Sequence, residues 1–219
     1  MRHIIFGGDG FVGRHLAPKL VADGEDVVVA DIVKSDLPHY RSVRFVTCDV
    51  TDPASVEALA GQIDNGSLDV VLVNAGIIGG ERQSVADAST EDVTEVMMTN
   101  AVGPARAAKQ LLPLLRDGGT LAFMTSRMGS IAESSGGFDL YRMSKAAQNI
   151  LAKGIFEQDA KARDIAMLSL HPGWVQTDMG GPGATLTVAE SVQGLADVLE
   201  AEHSPTHRFL AYDGSEIPW

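Results

Sequence analysis

Tyr141 and Lys145 stand four residues apart in the run Tyr141-Arg142-Met143-Ser144-Lys145. On a helix that spacing puts both side chains on one face. A free phenol has a pKa of about 10 and exchanges its proton poorly near neutrality. A neighbouring ammonium favours the phenolate and draws it toward the working range. Such a pair could give a proton to a carbonyl oxygen or take one from an alcohol. By itself it is also what an ordinary surface helix presents, so its meaning depends on the residues around it.

A second group suits a phosphate-bearing ligand. Gly7, Gly10 and Gly13 lie in Gly7-Gly8-Asp9-Gly10-Phe11-Val12-Gly13, between an apolar strand and a helical pattern. Glycines there let the backbone turn tightly and approach a pyrophosphate, while the helix start adds N–H groups and the positive end of its dipole. Glycine spacing alone is weak, but its place at the first strand–helix junction strengthens it. Asp31 ends the next strand. A carboxylate at that point accepts from both adenine-ribose hydroxyls and repels a 2′-phosphate, which puts NAD ahead of NADP. Arg14, Lys34 and Arg41 are near in sequence and work against that preference. With a nicotinamide held there, a hydride could move while the Tyr–Lys pair moves the proton.

Placing these residues together requires alternating strands and helices, and the hydrophobic pattern supplies them. Apolar runs predict strands at His3 to Phe6, Val27 to Ala30, Val43 to Thr47, Val70 to Val73, Thr120 to Met124, Ala166 to Leu170 and Phe209 to Tyr212. Helical spacing predicts helices over Phe11 to Ala22, from Asp52-Pro53 onward, over Thr90 to Leu115 with a bend near Gly103-Pro104, and over Tyr141 to Gln158. Gly118-Gly119 is the expected end of the third helix. Continuous apolar strands alternating with helices imply a three-layer α/β/α Rossmann fold, its doubly wound parallel sheet of about seven strands. Residues 1–219 read as one dinucleotide-binding domain, with the non-periodic, glycine-rich segment 175–189 as a substrate loop.

The composition, 45% hydrophobic and 21% charged over 219 residues, is ordinary for a soluble globular chain. A formal charge of −12 disfavours nucleic acid and anionic membrane as partners. No apolar run is long enough to span a bilayer, and Met1 to Phe6 is too short for a signal-peptide core. Cys48 is the sole cysteine, so no intramolecular disulfide forms, and a cytoplasmic location is expected. The histidines lack metal-binding spacing, so no metal site is expected.

Gly7 to Gly13, Asp49, Asn74-Ala75-Gly76, Asn100 and Ser126 precede Tyr141 and Lys145, and Pro172-Gly173 and Thr177 follow. In that order, over nearly the whole chain, the sequence resembles the short-chain dehydrogenase/reductase family. From about residue 68 onward it is most similar to the C-factor and sniffer-like carbonyl reductase branch. Ser126-Arg127-Met128-Gly129-Ser130, Tyr141 to Ala147, His171 to Met179 and Ile217-Pro218-Trp219 carry that likeness.

The resemblance implies roles. Ser126 would hydrogen-bond the substrate oxygen; Ser130, Ser134 and Ser135 also lie upstream of Tyr141, but only Ser126 ends a strand in a Ser-x-x-Gly context. Lys145 would also hold the nicotinamide ribose. Asn100 would anchor a proton-relay water near Lys145, or else be a packing amide. Asp49 would bind the adenine amino group, or else serve as a cap. Phe11, Val12, Ile32, Val50, Asn74, Ala75 and Gly76 would wall the cofactor. Pro172, Gly173, Val175 and Thr177 would shape its nicotinamide end, Thr177 bonding the carboxamide. Met128, Phe138, Trp174 and Met179 are candidate substrate contacts for a hydrophobic carbonyl or alcohol. A homodimer or homotetramer through the helices near 90–115 and 141–158 is also implied.

Two departures qualify the likeness. Met1 to Asp52 looks epimerase-like in its glycine spacing, and Val73 stands where the branch carries an additional Asn before Asn74. They leave two alternatives: a sugar-nucleotide epimerase or dehydratase, for which little chain follows Gly173, and a non-catalytic dinucleotide-binding signalling protein of C-factor type.

Overall fold

The computed structural model describes residues 1–8, 10–32 and 43–219. Its strands are β1 (Arg2–Phe6), β2 (Asp26–Asp31), β3 (Arg44–Thr47), β4 (Leu68–Val73), β5 (Leu115–Met124), β6 (Ala166–His171) and β7 (His207–Ala211). They form one seven-stranded sheet in the order β3-β2-β1-β4-β5-β6-β7, every pairing parallel. The helices are α1 (Phe11–Ala22), α2 (Pro53–Ala60), α3 (Thr90–Met97), α4 (Gly103–Leu111), α5 (Asp139–Ile155) and α6 (Val188–Glu200).

Alternation along the strands explains the layers. On β1, Ile4 and Phe6 join one core with Val56 and Leu59 of α2, Leu111 of α4 and Ala152 and Ile155 of α5. Ile5 faces the other way, into a core with Leu16 and Leu20 of α1 and Leu195 and Leu199 of α6. Both faces of the sheet are thus dry, which is why its strands read as unbroken apolar runs. Each fully buried Leu or Ile contributes about 1.5–3 kcal/mol to this arrangement.

The chain runs outward from β1 to β2 and β3, then returns to place β4 on the opposite side of β1. That reversal leaves a crevice beyond the carboxyl ends of β1 and β4, where this fold binds ligands. Asn74 spans it, its Nδ2 donating to the Gly7 carbonyl at 2.8 Å.

Three expectations change. The helix expected over Thr90 to Leu115 is broken by a π-helical turn at Met98–Val102, ahead of Gly103-Pro104. It ends before Leu115, which already begins β5; Gly118, at φ +73°, belongs to that strand's irregular start. The loop expected to reach residue 189 stops at Thr187, which caps α6 in a reciprocal capping box with Glu190. That helix was readable from Thr187-x-x-Glu190 followed by Val192, Leu195 and Leu199.

Candidate active site

A cleft of about 500 Å³ occupies the crevice. Gly7, Gly10, Val12, Asp31, Ile32, Asp49, Val50, Asn74, Ala75, Gly76, Tyr141, Lys145, Pro172 and Met179 border it, all expected from the sequence. Phe6, Cys48, Thr51, Ile77, Glu95, Thr99, Met124 and Thr125 border it too. Lys34 and Arg41, and the side chain of Phe11, lie outside the described residues.

The glycine turn is held by contacts that admit no side chain. Gly7 has φ +75°, and a Cβ there would meet the Ala75 nitrogen at 2.6 Å. A Cβ on Gly13 would lie 2.4 Å from the Gly8 Cα and 2.7 Å from the Gly7 carbonyl oxygen. Gly8, which stands outside the spaced set of three, leaves room for Val29, whose Cγ1 would be 1.9 Å from a Cβ. Gly10 caps α1 without any side-chain hydrogen bond. A turn of this kind fits a pyrophosphate.

Asp31 ends β2, and its Oδ1 accepts from the Ile32 N–H at 2.7 Å. Asp49 Oδ1 accepts from the Thr51 N–H at 2.8 Å and its hydroxyl at 2.7 Å. The capping alternative fails, since Asp52 caps α2 by accepting from the Ala54 N–H. Asp49 instead braces a turn at the cleft wall.

Tyr141, Ser126 and Lys145 converge at the other end. Burial raises the Tyr141 phenol above its ordinary value, and a hydrogen bond with the Ser126 hydroxyl pulls it back. Burial lowers the Lys145 ammonium to about 7. Lys145 Nζ donates to the Met124 carbonyl at 2.9 Å and to Gln148 Oε1 at 3.3 Å. It lies 5.8 Å from the centroid of the Tyr141 ring. The ammonium thus sits over the ring, and the phenol moves up rather than down, opposite to the direction expected from the spacing alone.

The serines now separate. Ser126 is buried at the end of β5, and its Oγ accepts from the Met128 N–H at 3.2 Å. Ser130 is tied elsewhere: its Oγ donates to the Pro218 carbonyl at 2.6 Å and accepts from the Glu133 N–H at 3.1 Å. Ser134 and Ser135 are exposed. Ser130→Ala removes the bond to the carbonyl of Pro218, an exposed residue, and is expected to cost about 0.5–1.5 kcal/mol. The check is a lowered urea midpoint with unchanged dinucleotide affinity.

Asn100 lies in the π-helical turn, fully buried. Its Oδ1 accepts from the Ile77 N–H at 2.7 Å, and its Nδ2 donates to the Ile77 carbonyl at 2.7 Å and Ser144 Oγ at 3.0 Å. Ser144 Oγ in turn donates to the Tyr141 carbonyl at 2.8 Å. Both amide N–H donors are therefore committed to tying the chain after β4 to α5. A methyl on Gly76 would come within 3.2 Å of both Asn100 Oδ1 and Lys145 Nζ.

The remaining candidates stand off the cleft walls. Val175 is buried and bridges to Leu186. Thr177 Oγ1 accepts from the Gly180 N–H at 3.0 Å and donates to the Val175 carbonyl at 3.3 Å, within its own loop. The Trp174 indole donates to the Gly180 carbonyl at 2.7 Å, leaving the side chain 55% exposed. Gly173, at φ +89°, makes the turn after Pro172. Met128 is half-buried beside Ser126, and Phe138, at φ 51°, is an exposed residue leading into α5.

The family model described as short chain dehydrogenase matches residues 2–185. The chain belongs to the short-chain dehydrogenase/reductase family. It is 41% identical over 170 residues to C-signal of Myxococcus xanthus, covering 75% of this chain and 100% of that protein. It is 31% identical over 227 residues to 1-hydroxy-2-glutathionyl-2-methyl-3-butene dehydrogenase of Rhodococcus sp. (strain AD45), covering 99% and 98%. A carbonyl reductase from Pseudomonas aeruginosa PAO1 in complex with NADP matches with a TM-score of 0.88 and 33% identity over 100% of both chains. Carbonyl reductase Sniffer of D. melanogaster shares the fold, with a TM-score of 0.87 and 24% identity over 100% and 99%. As a short-chain dehydrogenase/reductase, and one consistent with the C-factor and sniffer-like branch, the chain is an oxidoreductase acting on carbonyl or alcohol groups. No helix among the described residues is long and apolar enough to cross a membrane.

Proposed function

We propose that this oxidoreductase transfers a hydride between NAD(H) and a hydrophobic carbonyl or secondary alcohol, with Tyr141 as the acid/base. One observation carries the reading: Tyr141 and Lys145 border the same cleft as Asp31 and the glycine turn, with the Ser126 hydroxyl on Tyr141. A bound nicotinamide supplies or accepts the hydride. Gly7, Gly10, Gly13 and the start of α1 hold the pyrophosphate, and Asp31 and Ile32 the adenine ribose. Asp49 and Val50 face the adenine, while Asn74, Ala75 and Gly76 form the wall between. Lys145 holds the nicotinamide ribose, and the turn from Pro172 to Thr177 closes that end.

Ser126 steadies the substrate oxygen as charge develops on it. A phenol kept protonated by burial is set to donate, which favours reduction of a carbonyl. Met179 at the cleft, with Met128 and Trp174 beyond its walls, supplies an apolar surround for the substrate. The segment 175–187 acts as the substrate loop of one dinucleotide-binding domain. Self-association through α4 and α5 is supported by Ile150, 68% exposed on α5. The buried thiol of Cys48 suits a reducing cytoplasm.

The preference for NAD rests on charge. Asp31, Asp49 and Glu95 border the cleft, and Lys145 is the only Lys or Arg among its described walls. The NADP in the Pseudomonas structure belongs to that protein; Asp31, at the end of β2, opposes a 2′-phosphate here. Asp31→Ser is expected to weaken NADH and strengthen NADPH binding, moving their affinity ratio by about tenfold or more. Fluorescence titration with each dinucleotide reads the ratio, and an unchanged ratio rejects the assignment. The hydride reading itself is tested by following nicotinamide absorbance with NADH and a series of aromatic ketones and quinones, and with NAD and aromatic secondary alcohols. Absence of turnover across both series would overturn it.

A further inference from the structure

Gln148 lies on α5 three residues beyond Lys145, wholly buried, and no step of the proposed reaction uses it. Its Oε1 accepts from Lys145 Nζ at 3.3 Å. Its Nε2 is buried with no hydrogen-bond partner. A buried amide with an orphaned N–H costs stability, and an apolar side chain of the same length would fill the space without that cost. Packing therefore does not account for an amide here, whereas the bond to Lys145 does.

An ammonium has three N–H donors. The Met124 carbonyl takes one at 2.9 Å and Gln148 a second, which leaves the third for the cleft that Lys145 borders. The other groups facing Nζ are uncharged: Gly76 and Asn100 from the chain after β4 and the π-helical turn, and the backbone of β5. Tyr141, on α5 itself, is a titratable neighbour, 5.8 Å from Nζ to the ring centroid. Among the described residues no carboxylate offsets the burial of the charge, and neutral oxygens hold it.

We propose that Gln148 is a positioning residue for Lys145: its amide oxygen fixes where the ammonium points and helps keep its charge at the Tyr141 end of the cleft. The proposal rests on the reading of Tyr141 and Lys145 as the working pair. Two substitutions test it. Gln148→Met keeps the length and removes the oxygen, while Gln148→Glu keeps an oxygen and adds a charge. The full-length protein, labelled with ¹³Cε-lysine, is titrated by NMR, with Lys145 assigned through Lys145→Met.

The Met substitution is expected to move the Lys145 midpoint below about 7, by about one pH unit, a tenfold change in its protonation equilibrium. The Glu substitution is expected to raise it. Midpoints unchanged in both overturn the proposal. If the Met variant fails to fold, the Glu variant decides alone, and a midpoint that stays or falls rejects it. Full turnover by Tyr141→Phe would sink the acid–base reading, yet the Lys145 titration would still decide, separately, whether Gln148 holds the ammonium.

Discussion

Tyr141→Phe is expected to lower kcat by about 10²–10⁴-fold, the range that a positioned acid or base contributes. The substitution removes a single oxygen. Burial already encloses the ring, and the hydrogen bonds that hold Lys145 run to the Met124 carbonyl and Gln148 Oε1, so the packing and these bonds do not depend on that oxygen. Dinucleotide affinity is therefore expected to hold while turnover falls, with stability lowered by no more than about 0.5–1.5 kcal/mol for the lost bond to Ser126. Ser126 keeps its bond from the Met128 N–H and stays in place to bind a substrate oxygen. The measurement is steady-state reduction of an aromatic ketone by NADH, alongside fluorescence titration of NADH. Turnover at the parent rate would remove Tyr141 from the chemistry.

Gly13→Ala is expected to abolish measurable dinucleotide binding and to lower stability by several kcal/mol, an overpacking cost at or above about 1–3 kcal/mol. The added methyl would overlap the Gly8 Cα and the carbonyl oxygens of Gly8 and Gly7 at 2.4–2.7 Å, all of them backbone. No rotamer relieves such a contact. Either α1 moves away from β1 or the turn opens, and both displace the N–H groups proposed to bind a pyrophosphate. Leu16 and Leu20 hold α1 against the sheet, so the strain falls on the turn. Urea unfolding and NADH titration measure the two consequences. An alanine variant that binds NADH as the parent does would exclude the turn as the phosphate site.

Helix α1 has the bounds that the spacing predicts, because its apolar stripe repeats without a break. The segment after Thr90 departs from its expected form, because a π-helical turn of five residues shifts the side-chain register over too short a run for periodicity to reveal. The consequence is local and chemical: the turn aims Asn100 at Ile77. Glycines at 7, 10 and 13 are conspicuous by spacing, whereas Gly8 matters only because Val29 of the neighbouring strand lies against it. Gln148 carries a signal, a polar residue on the face of α5 shared with Lys145, but an amide on a helix has many ordinary uses.

By itself, the sequence determined the order of strands and helices, the place of the glycine turn and the pairing of Tyr141 with Lys145. All of these are matters of short-range spacing, which periodicity and backbone sterics decide. The tertiary structure decided what surrounds the pair. It brought Ser126 to Tyr141 and sent Ser130 to the Pro218 carbonyl, and it set Lys145 on the Met124 carbonyl and Gln148. It also moved the Tyr141 phenol upward and the lysine down to about 7. Those outcomes depend on burial and on groups distant in the chain, many of them backbone carbonyls, which every residue possesses and no sequence pattern distinguishes.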